Sequence, residues 1–174
     1  MKPYGDTDLK RLHREWRRRT EGRVALLLDR VQQPFNVGAI IRTAAALRAD
    51  HLWLVGATAP PPTSAKVGRV SLGTERYLPW TMVDEVDEAL AAVRGAGFSL
   101  VGVELAAGAV PLHEARLAGD VCLALGHEDR GLSSVCLDAC DEVVFVPQLG
   151  KVGSLNVAHA AAIALYEVRR RAWT

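Results

Sequence analysis

No run of roughly eighteen apolar residues occurs anywhere in this chain, which excludes a helix long enough to span a bilayer. The opening residues, Met1 to Asp6, lack the apolar core of a signal peptide, so a cytoplasmic protein is expected. Cysteine is scarce: Cys122, Cys136 and Cys140 form an odd set without Cys-x-x-Cys spacing. Cys136 and Cys140 stand four apart on an expected short helix, but no histidine pair completes a site. Buried reduced thiols and no metal are therefore expected. Net charge is also nearly absent, +1 at pH 7, so the chain as a whole does not advertise a polyanionic partner. Two glycine patterns are missing as well. No Gly-x-Gly-x-x-Gly follows the first strand and no Gly-x-x-x-x-Gly-Lys-Ser/Thr occurs, which argues against ordinary dinucleotide-binding and P-loop proteins.

What is present is the composition of an ordinary globular protein, 49% hydrophobic and 24% charged over 174 residues. With no repeat, low-complexity tail or linker, residues 1–174 are expected to form one domain. The charges are unevenly placed. Lys10, Arg11, Arg14, Arg17, Arg18 and Arg19 crowd the start, and Arg169, Arg170 and Arg171 the end. Basic clusters attract phosphates, although a solvated helix face reads the same way.

Residues 8–19 read as a basic helix with Leu9, Leu12 and Trp16 on one stripe. Val24–Leu28 is a short continuous apolar run, as in a parallel strand covered on both faces. Asn36 is placed to cap a helix over Val37–Arg48. His51–Val55 is the next strand. Pro60, Pro61 and Pro62, with Thr63 and Ser64, make a stiff loop. A helix over 84–94, strands at Phe98–Val103 and Val121–Leu125, a short helix near 133–139, a strand at 143–146 and a long helix over 155–171 follow. This alternation predicts an α/β fold with a mostly parallel sheet and helices on both faces.

Ligands of open parallel sheets gather outside the carboxyl ends of the strands. Three loops there carry unusual chemistry. In 29–43, Asn36 reads as a cap, Gly38 as a point of close backbone approach, and Arg42 as a cation set among Ile40, Ile41 and alanines, with a functional role expected. In 126–133, Gly126 exposes backbone groups at a strand end beside Glu128. That carboxylate would orient an arginine or an amide, while Ser133 caps the next helix and His127 reads as a turn residue. In 147–157, Gly150 and Gly153 bracket Lys151, and Ser154 and Asn156 stand where a helix begins, either as caps or as side chains turned toward a ligand.

Together Asn36-x-Gly38-x-x-x-Arg42-Thr43, Leu125-Gly126-x-Glu128-x-x-Gly131-Leu132-Ser133 and Pro147-x-x-Gly150-x-x-x-Ser154-Leu155-Asn156-Val157 resemble the three motifs of the SpoU/TrmH family. These are RNA ribose 2′-O-methyltransferases of the SPOUT superfamily. The resemblance covers nearly the whole chain. It implies a deep trefoil knot in the C-terminal part, a homodimer with its sites at the interface, and S-adenosylmethionine bound in the knot. By motif position, Gly126, Val146 and Leu155, with Val103, would hold that cofactor. Arg42 corresponds to the family's proposed base, positioned by Asn36 and Glu128 and engaged by a substrate phosphate, with Ser154 and Asn156 completing the pocket. Arginine is a very poor base, so a phosphate clamp is the other reading of Arg42.

The Arg-rich start resembles the tRNA-modifying branch, in which Leu72–Tyr77 would be a substrate-facing loop. The expected substrate is therefore tRNA, with ribosomal RNA and a knotted, non-catalytic RNA-binding protein as alternatives. With no separate RNA-binding domain, the basic ends would grip phosphates. Two residues depart from the pattern: Gln148 replaces the methionine common after the motif-three proline, and His159 occupies a position often small. The stop at Thr174, without the extension some tRNA enzymes use, bears on the RNA target rather than the reaction.

Overall fold

Val24–Asp29 (β1) is buried at every position, the expected fate of a continuous apolar run in a sheet covered on both faces. This computed structural model describes residues 2–61 and 65–174. The other strands are His51–Val55 (β2), Trp80–Val83 (β3), Ser99–Val103 (β4), Val110–Pro111 (β5), Val121–Leu125 (β6) and Glu142–Phe145 (β7). They form one seven-stranded sheet of order β3-β2-β1-β6-β4-β7-β5. Every neighbouring pair is parallel, as the strand–helix alternation predicts.

The helices are Asp6–Arg18 (α1), Pro34–Ala46 (α2), Ala65–Ser71 (α3), Val86–Gly95 (α4), Ser134–Ala139 (α5) and Val157–Arg171 (α6), with a short 3-10 turn at Thr74–Tyr77. Side chains alternate across β1 and divide the core in two. Val24, Leu26 and Leu28 pack with Ile40 and Ile41 of α2 and Leu165 of α6. Ala25 and Leu27 face the other way, toward Ala89 and Val93 of α4 and Cys136 of α5. Helices thus cover both faces. No helix among the described residues is long and apolar enough to cross a membrane. The cysteines are free thiols, with Cys122 and Cys136 buried.

Four sequence expectations change. Asn36 does not cap α2; the helix starts at Pro34, and Asn36 lies inside its first turn. Proline tolerates that first position because its missing N–H would have no partner there. Strands β3 and β5, not expected from sequence, add the two edges of the sheet. Within the segment Leu72–Tyr77, expected as a loop, Thr74–Tyr77 folds into the 3-10 turn, fastened by Ser71 Oγ donating to Glu75 Oε2 at 2.6 Å. Of the proline-rich loop, Pro62, Thr63 and Ser64 lie outside the described residues.

The fourth change concerns charge. Arg169 is buried, and its guanidinium donates to the carbonyls of Leu47, Gly22 and Arg48 and to Asp50 Oδ2. Arg171 donates to the carbonyls of Ala115, Leu112 and His113, and with Arg170 to Glu167. The basic tail therefore stitches α6 to its neighbours, and offers phosphates no free cluster. By contrast α1 buries none of its residues. Its Trp16 packs on Trp173 with ring centroids 5.0 Å apart, which fastens it to the end of α6.

Candidate active site

β1 and β6 are adjacent, with Leu28 opposite Leu125, so the loops leaving them emerge side by side. Asp29, wholly buried at the end of β1, closes the seam. Its Oδ2 accepts from the Ser133 amide at 2.7 Å, and its Oδ1 pairs with Arg30 at 3.0 Å. Ser133 caps α5 as expected, its hydroxyl accepting from the Cys136 amide. A Cβ on Gly126 would collide with the backbone of Gly131 and Leu132, so glycine is what lets the 127–131 turn fold back over the strand. His127 is part of that turn; its Nδ1 accepts from the Asp129 amide at 3.0 Å.

The turn presents Glu128 to the start of α2. The carboxylate accepts from the amides of Gln32 and Gln33 at 3.2 and 3.0 Å, and from Asn36 Nδ2 at 2.9 Å. Burial pushes its carboxyl up, but the Asn36 amide and the backbone N–H groups of Glu128, Gln33 and Gln32 outweigh that and hold it below the usual carboxylate range. Gln33, at the cap position, supplies no side-chain bond of its own. A carboxylate from a distant loop therefore satisfies orphan donors of α2, where negative charge is also favoured.

The chain of bonds continues. Asn36 Oδ1 accepts from Asn156 Nδ2 at 2.9 Å. Asn156 Oδ1 in turn accepts from the amides of Ala158 and His159 and caps α6. Carboxylates only accept and backbone N–H groups only donate, so both side-chain amides have one permitted orientation. One directional relay thus joins segments from all three loops.

Arg42 stands apart from it. It lies on the exposed side of α2 and, among the described residues, has no hydrogen-bond or ion-pair partner. The neighbours Ile40, Ile41 and Ala44 face the core. Asn36 and Glu128 hold each other, and no hydrogen bond joins either to Arg42 among the described residues. Gly38 serves as expected: a Cβ there would lie 2.7 Å from Val70, so only glycine lets α3 cross so closely.

Beside the relay, at the ends of β4 and β7, lies a small hollow open to solvent. Val103, Val146 and Leu155 line it, as does the exposed Ser154; Gly126 is not among the lining residues. Sequence reasoning missed Glu104 on the same wall. It accepts from the amides of Leu105 at 3.1 Å and Leu132 at 3.0 Å, and so ties the loop after β4 to the 126–133 loop. A carboxylate directly after an apolar strand was the signal available for it.

Fold and site together define an α/β protein whose parallel sheet carries a polar relay and a hollow at its carboxyl edge. Residues 23–166 match the SpoU rRNA Methylase family, and the chain belongs to that family. It is 34% identical over 151 residues to the 23S rRNA (guanosine-2′-O-)-methyltransferase RlmB of Acinetobacter baylyi, covering 84% of this chain and 59% of that protein. It is 28% identical over 148 residues to the tRNA (guanosine(18)-2′-O)-methyltransferase of Escherichia coli, covering 85% of this chain and 63% of that one. The crystal structure of the AdoMet-bound rRNA methyltransferase from Sinorhizobium meliloti superposes with a TM-score of 0.82 at 33% identity, covering 90% of this chain and 59% of that chain. The chain spans about half the length of curated relatives it matches, from 44% to 59%.

Proposed function

We propose that this chain is an S-adenosylmethionine-dependent methyltransferase that acts on a ribose 2′-hydroxyl of RNA, with tRNA as its substrate. The observation that carries the reading is the Glu128–Asn36–Asn156 relay, which fixes segments from all three motifs beside one hollow. The residues fit the cofactor: apolar Val103, Val146 and Leu155 suit its base, and Glu104, Gln148 and Ser154 add polar atoms. When bound it supplies an electrophilic methyl group on a sulfonium. The protein's part is to bring a weakly nucleophilic hydroxyl into line and accommodate its proton.

A guanidinium presents five donors and no lone pair, so Arg42 clamps the phosphate next to the reacting ribose, and the hydroxyl proton leaves to solvent as the new bond forms. Asn36, Glu128 and Asn156 keep the wall rigid, and Ser154 faces the bound ligands. The knot belongs to the same proposal, supported by β7 lying between β4 and β5 and by α6 returning over β1, β4 and β6. So does a homodimer. Trp16 of α1 and Ile163 and Tyr166 of α6 leave apolar surface exposed, and Arg42 has no partner within its own protomer.

The basic face of α1 supports the tRNA reading, whereas the arginines at the end of α6 are engaged within the protein itself. The names of the Acinetobacter and Sinorhizobium proteins favour ribosomal RNA as the second reading. Transfer of labelled methyl to unmodified tRNA and, separately, to ribosomal RNA, followed by digestion to nucleosides, decides between them. Label in a 2′-O-methyl nucleoside from tRNA is expected. Label from ribosomal RNA alone would overturn the substrate, and cofactor binding with no transfer would favour a binding protein.

A further inference from the structure

Among the described residues, one enclosed side-chain polar atom lacks a hydrogen-bond partner: Oε1 of Gln148. Buried polar atoms in folded proteins are paired almost without exception, so an unpaired one needs a cause. Gln148 follows Pro147 in the loop after β7 and lines the hollow with Val103, Val146 and Leu155. Its neighbour on that wall, Glu104, already accepts from two backbone amides. An amide oxygen only accepts, so what Gln148 lacks is a donor, and the hollow is where a ligand brings one.

We propose that Gln148 Oε1 receives the exocyclic amine of the cofactor's adenine and so selects that base; the inference rests on the cofactor reading above. The walls argue for the base over the rest of the ligand. Val103, Val146 and Leu155 offer apolar surface that suits a flat purine, whereas an ammonium buried against them would need several acceptors or a counter-charge. A ribose brings two hydroxyls that both need partners. Adenine within a nucleoside has one amine to donate, which a single acceptor complements. A site that depends on such a bond rejects an analogue lacking the donor far more strongly than an apolar pocket does.

Titration calorimetry with S-adenosylhomocysteine and S-inosylhomocysteine reads this contact without turnover, because in the second compound a carbonyl replaces the amine. The wild-type protein should bind the inosine form at least about tenfold more weakly. Gln148→Met keeps the length and volume of the side chain but removes the acceptor. In that variant the gap should shrink to roughly twofold, and the ligand-free melting temperature should hold or rise because an unpaired buried oxygen is gone. A Gln148→Met protein that keeps the full gap, or a wild type that shows none, overturns the assignment while leaving the cofactor in place. A wild type that binds neither compound overturns the cofactor reading as well.

Discussion

The side-chain amides of Asn36 and Asn156, 120 residues apart in the chain, meet at 2.9 Å, and each is held by a partner that leaves it one orientation. Asn36→Asp turns the donor facing Glu128 into a second carboxylate. The variant should lose about 1–3 kcal/mol of stability at neutral pH. Most of that should return near pH 4, where the pair can share a proton. Thermal melts across this range test it; a deficit that ignores pH would remove the charge argument.

Glu167 should dominate one part of the acid stability profile. A hydrogen bond from Arg170 is the largest influence on it; burial opposes this, Arg171 reinforces it, and the carboxyl is held down to about 2. An unfolded glutamate titrates near about 4.3. A depressed carboxylate stabilises the fold above that value and loses its contribution as pH falls toward the folded one. Glu167→Gln should therefore cost about 1–2 kcal/mol at pH 6 and almost nothing near pH 2, measured by urea unfolding at each pH.

Arg169 is expected to matter for stability and not for RNA. Arg169→Met leaves the carbonyls of Leu47, Gly22 and Arg48 without their donor and should cost about 3 kcal/mol or more. Arg169→Lys should not rescue it, since one ammonium cannot span those acceptors. Chemical denaturation of both variants checks the pair.

Arg42 should behave in the opposite way. It is exposed and unpaired, so Arg42→Ala should change stability by less than about 0.5 kcal/mol. Methyl transfer should fall by roughly 10²-fold or more while cofactor affinity holds. Single-turnover assays with calorimetry separate these effects, and retained turnover would remove Arg42 from the chemistry.

RNA affinity should draw mainly on α1, with Arg42 adding a single phosphate contact. Replacing Arg11, Arg14 and Arg18 by glutamine should lower the slope of log affinity against log salt by about 2. Arg170→Gln should leave the slope alone, because that guanidinium is committed to Glu167. Filter binding over a salt series compares them.

Much of this arrangement is legible in the sequence because local rules decide it. Continuous apolar runs mark β1 and β6, and Ser133 caps α5 through a residue three positions away. What the sequence hides depends on distant partners. The donors at the start of α2 are satisfied by Glu128, more than ninety residues later, so Asn36 is released from the capping role its position suggests. Arg169 and Arg14 look alike in a string of letters, but only Arg169 meets a ring of carbonyls. The short edge strands β3 and β5 carry too few alternating residues to announce themselves, and Glu104 earns its place only where the loop around Gly131 arrives beside it.

The relay also sets a schedule for biosynthesis. Asn36 leaves the peptidyl-transferase centre long before Asn156 exists, and at roughly 5–20 residues per second the intervening 120 residues take about 6–24 s to make. Through that interval the early loops can settle against β1, but the polar wall lacks its last member. Until the closing helix has been delivered, the wall that joins the three loops stays one side chain short.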